Sequence, residues 1–390
     1  MTSKERILNA LQYDTVDYIP CSFMQFYSLY GKCATEQQFI ERQLSMDLDP
    51  FVHVGHLNHS FHPDVSYREW AEHKNGKKIY CRRIDTPKGA LTGRVVQVEG
   101  WPQDNDFPLF DDRIVPRAQE VLVKPEQDLD KLPYIFDGFK DDDIENLRES
   151  AKEAKRLAEN YSLVQMGGWK GSRGPGDYTQ LGVMGVDALS WLSGFENVMA
   201  LALLKPEVIE EYAKLIHEWN MKQIEIYLDV TEADILQKRA WYETTEFWTP
   251  QTYRQIIAPF LKKEVEAVHQ AGKKFAYIIT SAFRPILDDI LHADIDVLVG
   301  IDPVEGKGTD MRLTKEKFTK KRKALWGGIN AFITLETGSE QQIKESTKQA
   351  LAVLGEGGGF VLSPVDNVYE DDQKVWQNID VFINTWKRYR

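Results

Sequence analysis

Cysteine is scarce in this chain, and long hydrophobic runs are missing from it. Cys21, Cys33 and Cys81 are odd in number and have no paired spacing among 390 residues. Three such cysteines favour free thiols in a reducing compartment over a disulfide framework. No run approaches the roughly 20 apolar residues of a membrane span, and the amphipathic start MTSKERILNALQYD has no apolar stretch like that of a signal peptide. We therefore expect a cytoplasmic protein with no membrane partner.

Positive charge is also in short supply. The formal net charge is -12, which argues against non-specific binding to nucleic acid or to anionic lipid, because both need basic patches. Hydrophobic residues make up 42% of the chain, enough for a large buried core. We find no low-complexity tract, internal repeat or composition-marked linker, so a single domain spanning residues 1–390 is expected.

Eight short apolar runs are separated by longer helical patterns, which is typical of parallel strands buried on both faces. They are Tyr18–Met24, Pro50–Val54, Ser162–Met166, Ala233–Gln237, Lys274–Ile279, Asp296–Ile301, Ala324–Gly328 and Gly359–Pro364. Eight βα units predict an α/β protein with a (β/α)₈ (TIM) barrel, and an open sheet with extra strands is the alternative.

One region interrupts this alternation. Between the second strand and its helix, residues 67–123 contain alternating β-branched and polar residues around the turn Thr86-Pro87-Lys88-Gly89. This pattern predicts a β-hairpin excursion after strand two that covers the barrel mouth.

Polar and aromatic residues follow the predicted strands, where the loops of a barrel meet and chemistry is found. Each one alone could be a loop cap. Asp302, Asp366 and Glu243 are the predicted catalytic residues, because carboxylates in different environments can divide acid and base roles. The predicted substrate-binding residues are Gln25, Tyr27, His53, His56, Trp169, Arg239, Trp241, Thr280, Trp326, Asn330 and Asn367.

Two sequence patterns suggest cofactor sites but do not meet their geometry. The spacing His53-x₂-His56-x₂-His59-x₂-His62 turns successive side chains away from one another in a helix and onto alternate faces in a strand, so four imidazoles would not converge. We expect no bound metal, with His53 or His56 reaching the pocket instead. The glycine-rich stretch 167–174 lacks the spacing of a phosphate loop and predicts a mouth loop.

Several segments together resemble the uroporphyrinogen decarboxylase superfamily, which includes methyltransferases that work on methylcobalamin or methyl-corrinoid proteins. They are Glu5–Leu11 with Val16–Pro20, Gly272–Lys274 leading into Arg284–Leu287, and Gly327–Ile329 followed by Gly357–Pro364. The resemblance spans nearly the whole chain and implies a (β/α)₈ barrel.

The chain departs from both branches of that superfamily. The resemblance places Ile278, Thr280 and Asp366 where the methyltransferases hold zinc with histidine and cysteine, so zinc activation of a thiol acceptor is not expected. The arginine-rich segment that grips substrate carboxylates in the decarboxylases corresponds to residues 23–30, which contain no arginine.

Three functions follow as hypotheses. The first is methyl transfer from a small methylated substrate, without a tightly bound cofactor, to a corrinoid supplied by a partner protein. The second is a decarboxylase or other lyase reaction, and the third is non-catalytic binding of a small molecule. Trp169, Trp241, Tyr27 and Trp326 near the predicted carboxylates suggest a cage for a methylated ammonium or a methoxylated aromatic, although these rings could equally pack the barrel top.

Overall fold

The molecule is described by a computed structural model that covers residues 1–97, 109–171 and 181–390. Its strands are β1 (Phe51–His53), β2 (Ser66–Lys74), β3 (Lys77–Thr86), β4 (Gly89–Val96), β5 (Ala118–Glu120), β6 (Val164–Gly168), β7 (Ile235–Arg239), β8 (Lys274–Ile278), β9 (Val297–Ile301), β10 (Ala324–Asn330) and β11 (Phe360–Val365).

The helices fall between these strands. They are α1 (Ser3–Gln12), α2 (Tyr27–Tyr30), α3 (Glu36–Ser45), α4 (Pro125–Asp128), α5 (Asp141–Tyr161), α6 (Asp187–Ser193), α7 (Phe195–Leu204), α8 (Pro206–Val230), α9 (Pro250–Thr252), α10 (Ala258–Gln270), α11 (Leu287–His292), α12 (Met311–Lys320), α13 (Glu340–Leu354) and α14 (Gln373–Tyr389). Helices α7 and α8 are separated at Lys205, and Pro206 takes the first position of α8. In the described part of the chain, none of these helices has the length and apolar content needed to span a bilayer.

Seven parallel strands form the central curled sheet, in the order β1-β6-β7-β8-β9-β10-β11. Strands β6, β7, β9, β10 and β11 are buried at every residue. Strands with helices on one face and a core on the other have no solvent face, which explains their nearly continuous apolar runs. All seven correspond to predicted runs.

The eighth predicted strand, Tyr18–Met24, does not form a strand in the structure. Ser22 N donates to Leu362 O at 2.9 Å, Leu362 N donates to Pro20 O at 2.9 Å, and Asp49 N donates to Cys21 O at 2.8 Å. The segment therefore lies alongside β11 but forms an isolated bridge at Cys21, not a strand of the sheet. Pro20 has no backbone N–H to extend the ladder.

The inner face of the curled sheet is filled by alternate strand residues. Ile235, Ile278, Val299 and Trp326 belong to one buried cluster, which also contains Ile7, Ala10 and Leu11 of α1. Helix α1 contacts β6, β10 and β11, so it packs against the inner cluster and leaves the carboxyl ends of the strands, here called the mouth, as the end that carries polar loops.

The excursion after β1 is larger than the predicted hairpin. Strands β2, β3, β4 and β5 form an antiparallel sheet in that order, and the predicted turn joins β3 to β4 through paired Thr86 and Gly89. Asn75 and Gly76, with φ of 52° and 73°, join β2 to β3, as a two-residue hairpin turn requires. Residues 98–108 of the predicted span lie outside the described residues.

Candidate functional site

Seven of the fourteen predicted site residues line one of two cavities at the mouth. The first, the aromatic cavity, has a volume of about 50 Å³ and is lined by Phe23, Met24, Gln25, Phe26, Tyr30, Phe39, Gln43, Phe51, His53, Met166, Trp169, Gly171, Gln237, Val299 and Trp326. It brings together four predicted substrate-binding residues. Trp326 donates from Nε1 to Ser22 O at 3.0 Å, so this ring is fixed as a wall.

The second cavity, the acidic cavity, has a volume of about 560 Å³ and opens between the loops after β8, β9 and β11. Its described lining is Glu246, Thr280, Ser281, Asp302, Pro303, Val304, Glu305, Gly306, Lys307, Gly308, Thr309, Val365 and Asp366. Four carboxylates and one lysine line it, and Lys307 is paired with Glu246. The cavity therefore favours cationic over anionic ligands.

Asp302 is held rigidly at the end of β9. Its Oδ1 accepts from the backbone N–H groups of Val304 and Glu305 at 2.8 and 3.0 Å. Its Oδ2 accepts from Asn330 Nδ2 at 2.7 Å, and the same amide donates to Glu305 Oε2 at 2.7 Å. The Asn330 amide thus links the carboxylates of Asp302 and Glu305, which both belong to the loop after β9.

Asp366 lies directly after β11 in the left-handed region, with φ of 69°, which aspartate tolerates better than most residues. Its side chain is exposed but crowded by protein. Desolvation, followed by the nearby carboxylate of Asp112, raises the pKa of Asp366 to about 6. A carboxyl group with this pKa can hold or release a proton near neutral pH.

Arg239, at the end of β7, is the centre of what we call the guanidinium cluster, with Asp112, Asp187, Trp191 and Tyr242. Its Nη2 donates to both carboxylate oxygens of Asp112 at 2.9 and 2.8 Å, and its Nη1 donates to Asp187 Oδ1. Burial raises the pKa of Asp187 to about 7, against the lowering effect of Arg239. Arg239 therefore pairs with two different carboxylates. Asp112 has its pKa lowered and remains ionised, whereas burial opposes the ionisation of Asp187.

Trp241 connects this cluster with the aromatic cavity. The centre of the Arg239 guanidinium lies 4.7 Å from the centroid of the Trp241 ring. The same ring lies 5.3 Å from that of Trp169, edge to face. Because Trp169 lines the aromatic cavity, the predicted Trp169, Arg239 and Trp241 form one continuous wall.

Glu243 is placed differently from the other predicted acids. It is fully buried and outside the described linings of both cavities. Its Oε1 accepts from Val186 N at 3.0 Å and lies 3.5 Å from Lys238 Nζ, and its Oε2 accepts from the Tyr277 hydroxyl. This contact set gives Glu243 a part in the packing between the sheet and its helices.

Lys238 and its partners form a buried charge network beside Glu243. Lys238 Nζ donates to Glu264 Oε2 at 2.8 Å, and Glu264 Oε1 is 3.0 Å from His217 Nδ1. The Lys238 ammonium and the His217 imidazole lower the pKa of Glu264 against the effect of its burial, whereas burial raises the pKa of Glu243. Glu264 is therefore the more readily ionised of the two glutamates.

The four spaced histidines do not converge. His53 lines the aromatic cavity, whereas His59 Nε2 lies 2.7 Å from Ile135 O and His62 Nδ1 accepts from Asp64 N at 3.0 Å. Burial lowers the pKa of His59 to about 4. His56 is half-buried and outside both described linings. Across residues 1–97, 109–171 and 181–390, no group of three His, Cys, Asp or Glu side chains is arranged to hold a metal ion.

Tyr27 and Asn367 serve the packing of the first loop onto the last. Tyr27 N donates to Asn367 Oδ1 at 3.1 Å, and the Tyr27 ring stacks on Tyr369 with centroids 4.4 Å apart. Gln25 pairs with Asn367 in a parallel bridge. These contacts place the two residues at the mouth, where they join the loops that frame it.

Sequence reasoning missed Asp112, Asp187, Trp191 and Tyr242. Asp112 comes from the excursion, 127 residues before Arg239 in the chain, and nothing in the local sequence distinguishes it from a surface acid. Of these four residues, Tyr242 was the one that the sequence could have indicated, because it stands between the predicted Trp241 and Glu243. The glycine-rich stretch 167–174 extends into residues 172–180, which lie outside the described part.

The sequence profile of the uroporphyrinogen decarboxylase (URO-D) family matches residues 142–389. The chain belongs to this family. The matched part includes β6 to β11, and so most of the central sheet and the loops that carry the acidic cavity and Arg239. Among curated proteins, none matches this chain.

Two solved structures are similar to this chain. A methyltransferase from Methanosarcina mazei aligns with a TM-score of 0.58 and 16% identity, covering 100% of this chain and 99% of that one. A B12-independent methionine synthase from Shewanella sp. W3-18-1 aligns with a TM-score of 0.43 and 11% identity, covering 95% and 96%. The first likeness shows that the fold is shared over the whole chain.

Membership of the URO-D family supports an enzyme of that superfamily's kind. The resemblance places the zinc ligands of that superfamily's methyltransferases at three positions, of which Ile278 is buried in the inner cluster and Thr280 and Asp366 lie in the acidic cavity. One hydroxyl and one carboxylate replace the soft ligands that zinc takes in such sites. The donor set does not fit a zinc site of that type.

Proposed function

We propose that this URO-D family member is a methyl-transfer enzyme that takes a small, cationic, methylated substrate and delivers its methyl group to a corrinoid carried by a partner protein. We further propose that the curled sheet and the Cys21 segment close as a (β/α)₈ barrel around the site. The observation that carries the first proposal is the charge of the mouth. Four carboxylates and one already paired lysine line the described acidic cavity.

A polyanion does not suit this end of the sheet. Arg239 is neutralised by Asp112 and Asp187, and Lys307 by Glu246. A tetrapyrrole with many carboxylates would need to displace these pairs and then approach Asp302 and Asp366, at a cost of several like-charge contacts. A methylated ammonium meets the opposite situation, with carboxylates in the acidic cavity and the indole rings of the connecting wall nearby.

The rim of the mouth supports a protein partner. Exposed apolar side chains occur on the loops after β9, β10 and β11, namely Val304, Phe332, Ile333 and Tyr369, which are 47%, 58%, 42% and 47% exposed. Apolar side chains clustered around a polar cavity are typical of interaction surfaces. A corrinoid held by that partner would supply the methyl-accepting centre, and this chain would bind and orient the methyl donor and exclude water.

The methyltransferase from Methanosarcina mazei, which shares the fold, motivates methyl transfer over the other reactions of the superfamily. Within the site, the pair Asp302 and Glu305 would face the cationic head. The amine that loses its methyl group keeps the C–N electron pair and becomes neutral, so Asp366 could donate a proton to it as it leaves. Both roles are proposals that rest on the positions of these carboxylates in the acidic cavity.

Binding followed by intrinsic tryptophan fluorescence tests the proposal. Tetramethylammonium and trimethylglycine should bind saturably, whereas a uroporphyrinogen-like polycarboxylate should bind at least tenfold more weakly. Asp302→Asn should weaken tetramethylammonium binding, and Asp288→Asn, at an exposed ion pair with Lys317, should not. Tighter binding of the polycarboxylate would overturn the proposal, and so would the lack of methyl transfer to any corrinoid protein from a donor that binds.

A further inference from the structure

The carboxylate of Asp112 occupies a receptor made by three other side chains of the guanidinium cluster. Arg239 Nη2 donates to both of its oxygens at 2.9 and 2.8 Å. Oδ1 also accepts from the Tyr242 hydroxyl at 2.5 Å and from Trp191 Nε1 at 2.9 Å. Four hydrogen bonds with one cation and two neutral donors are the arrangement that proteins use to recognise a carboxylate.

The Arg239 side chain is buried, whereas Asp112 is partly exposed although surrounding protein crowds its carboxylate. The Arg239 side chain is 4% exposed and that of Asp187 is 0% exposed, whereas that of Asp112 is 46% exposed. The guanidinium centre lies 4.5 and 4.7 Å from the ring centroids of Trp191 and Trp241. The Arg239 guanidinium therefore has contacts besides Asp112 that hold it in place, namely the two rings and Asp187.

Asp187 makes exchange at this receptor feasible. A buried arginine deprived of its partner is strongly destabilising, but Arg239 keeps its hydrogen bond to Asp187 Oδ1 when Asp112 leaves. An incoming carboxylate would restore the charge that Asp112 takes away. The exchange replaces one carboxylate by another on the same hydrogen-bond donors. The main free-energy cost of the exchange is therefore the release of Asp112 into water.

We propose that Arg239, Tyr242 and Trp191 form a carboxylate-binding site of the substrate, in which Asp112 is an internal stand-in that a ligand carboxylate displaces. This inference rests on the proposed function and narrows its substrate class. The methyl donor is a short zwitterion, with one carboxylate and one methylated ammonium group.

The cationic end of such a ligand has a partner nearby. The charges of Asp112 and Arg239 both act on Asp366, as does the carboxylate of Glu305, so these groups share one part of the mouth. A carboxylate on Arg239 therefore directs the rest of a short molecule toward Asp366 and the acidic cavity. The Trp241 ring, next to Arg239, offers the methylated ammonium an aromatic face.

Removing the stand-in tests the site, because an intramolecular carboxylate competes at an effective concentration of about millimolar or more. Asp112→Ala should lower the melting temperature, and acetate at constant ionic strength should restore it. Acetate should bind the variant at least tenfold more tightly than it binds the wild type, followed by fluorescence of the adjacent tryptophans. If Asp112→Ala does not fold, Asp112→Asn is measured in the same way.

The matched control is Asp85→Ala in β3 of the antiparallel sheet. Asp85 is also paired with an arginine through two oxygens, at 2.6 to 3.1 Å from Arg83, and is 45% exposed. Its arginine is 41% exposed and has no receptor around it, so acetate should not restore this variant. Equal acetate dependence in the two variants, or none in the Asp112 variants, overturns the site.

The zwitterion is tested separately from methyl transfer. In Asp112→Ala, trimethylglycine should bind at least tenfold more tightly than acetate or choline, and adding Asp366→Asn should remove that advantage over acetate. Acetate binding without a preference for trimethylglycine would refute the zwitterionic substrate. Neither result depends on a corrinoid partner, so failure of the methyl-transfer assay would leave this site intact.

Discussion

The substitution Lys238→Met tests how much the buried charge network around Lys238 contributes to the stability of the fold. The Lys238 side chain is 3% exposed and its two carboxylate partners, Glu264 and Glu243, are each 1% exposed. Methionine matches the length of the lysine stem but leaves the carboxylates without their cation. Breaking a buried pair in this way costs about 3–5 kcal/mol in the free energy of unfolding.

The loss should depend on pH. In the wild type the pKa of Glu264 is lowered by Lys238 and His217, so its contribution to stability is present above the unfolded pKa and is lost as pH falls. In the variant, burial without Lys238 raises that pKa, so ionisation opposes folding and stability falls as pH rises. The destabilisation should therefore be largest near pH 8 and shrink toward pH 5.

Urea denaturation at pH 5 and pH 8, followed by tryptophan fluorescence, measures both effects. Lys214→Met is the control, because Lys214 pairs with Glu218 at 3.9 Å with both side chains about half exposed and should change stability by less than about 0.5 kcal/mol. A Lys238→Met protein as stable as the control at pH 8, or equally destabilised at both pH values, would refute the reasoning.

Three further changes probe the site and the sheet. Asp187→Asn should become more stable than the wild type as pH rises from 4 to 8. Burial raises the pKa of Asp187 to about 7 from 3.8, so ionising it in the folded wild type costs up to about 4 kcal/mol, at 1.36 kcal/mol per pH unit. Thermal unfolding of both proteins across that pH range measures the difference. Gly168→Ala should cost more than about 3 kcal/mol, measured in urea, because φ is 86° and the new Cβ would lie 2.3 Å from Gln237 O. Tetramethylammonium should bind the wild type more tightly above pH 6 than below it, because Asp366 has its pKa raised to about 6, and Asp366→Asn should remove that dependence in fluorescence titrations.

Each of these changes has an internal check. Gly76→Ala shares a positive φ of 73° but meets no atom within 4 Å, so it should cost only about 1–2 kcal/mol. Similar losses in the two alanine variants would show that the close approach of β6 to β7 does not matter. A wild-type stability that rises between pH 4 and 8 relative to Asp187→Asn would contradict the raised pKa. If tetramethylammonium binding keeps its pH dependence in Asp366→Asn, a group other than Asp366 causes that dependence.

The sheet was predictable because its strands have no solvent face. Runs such as Val297–Ile301 and Phe360–Val365 are buried at every residue, so each appears in the sequence as a nearly continuous apolar segment. Tyr18–Met24 has similar composition, but Pro20 and a single bridge at Cys21 limit its pairing. Composition does not reveal how many hydrogen bonds a segment makes with its neighbours.

The site was predictable only in part, for a geometric reason. Asp302 and Asp366 do line one cavity, because strands of one sheet present their ends together; their roles stay predictions. Glu243 also follows a strand, yet its side chain turns away to Lys238 and Tyr277, a direction set by tertiary packing. Asp112 was unpredictable because the excursion carries it to Arg239 over a long sequence distance.

The pairing of β1 with β6 sets the order in which the molecule can assemble. Phe51 pairs with Val164, so this contact must wait until more than a hundred residues have been brought into a compact state, and closing so long a loop is slow. The hairpin at Asn75-Gly76 forms from residues adjacent in the chain. The pairings from β6 to β11 join strands that are successive in the chain and span shorter separations than the pairing of β1 with β6. We expect β1 to dock late, onto two parts already formed. The aromatic cavity, which Phe51 and His53 of β1 help to line, should therefore be among the last features of the protein to acquire its native form.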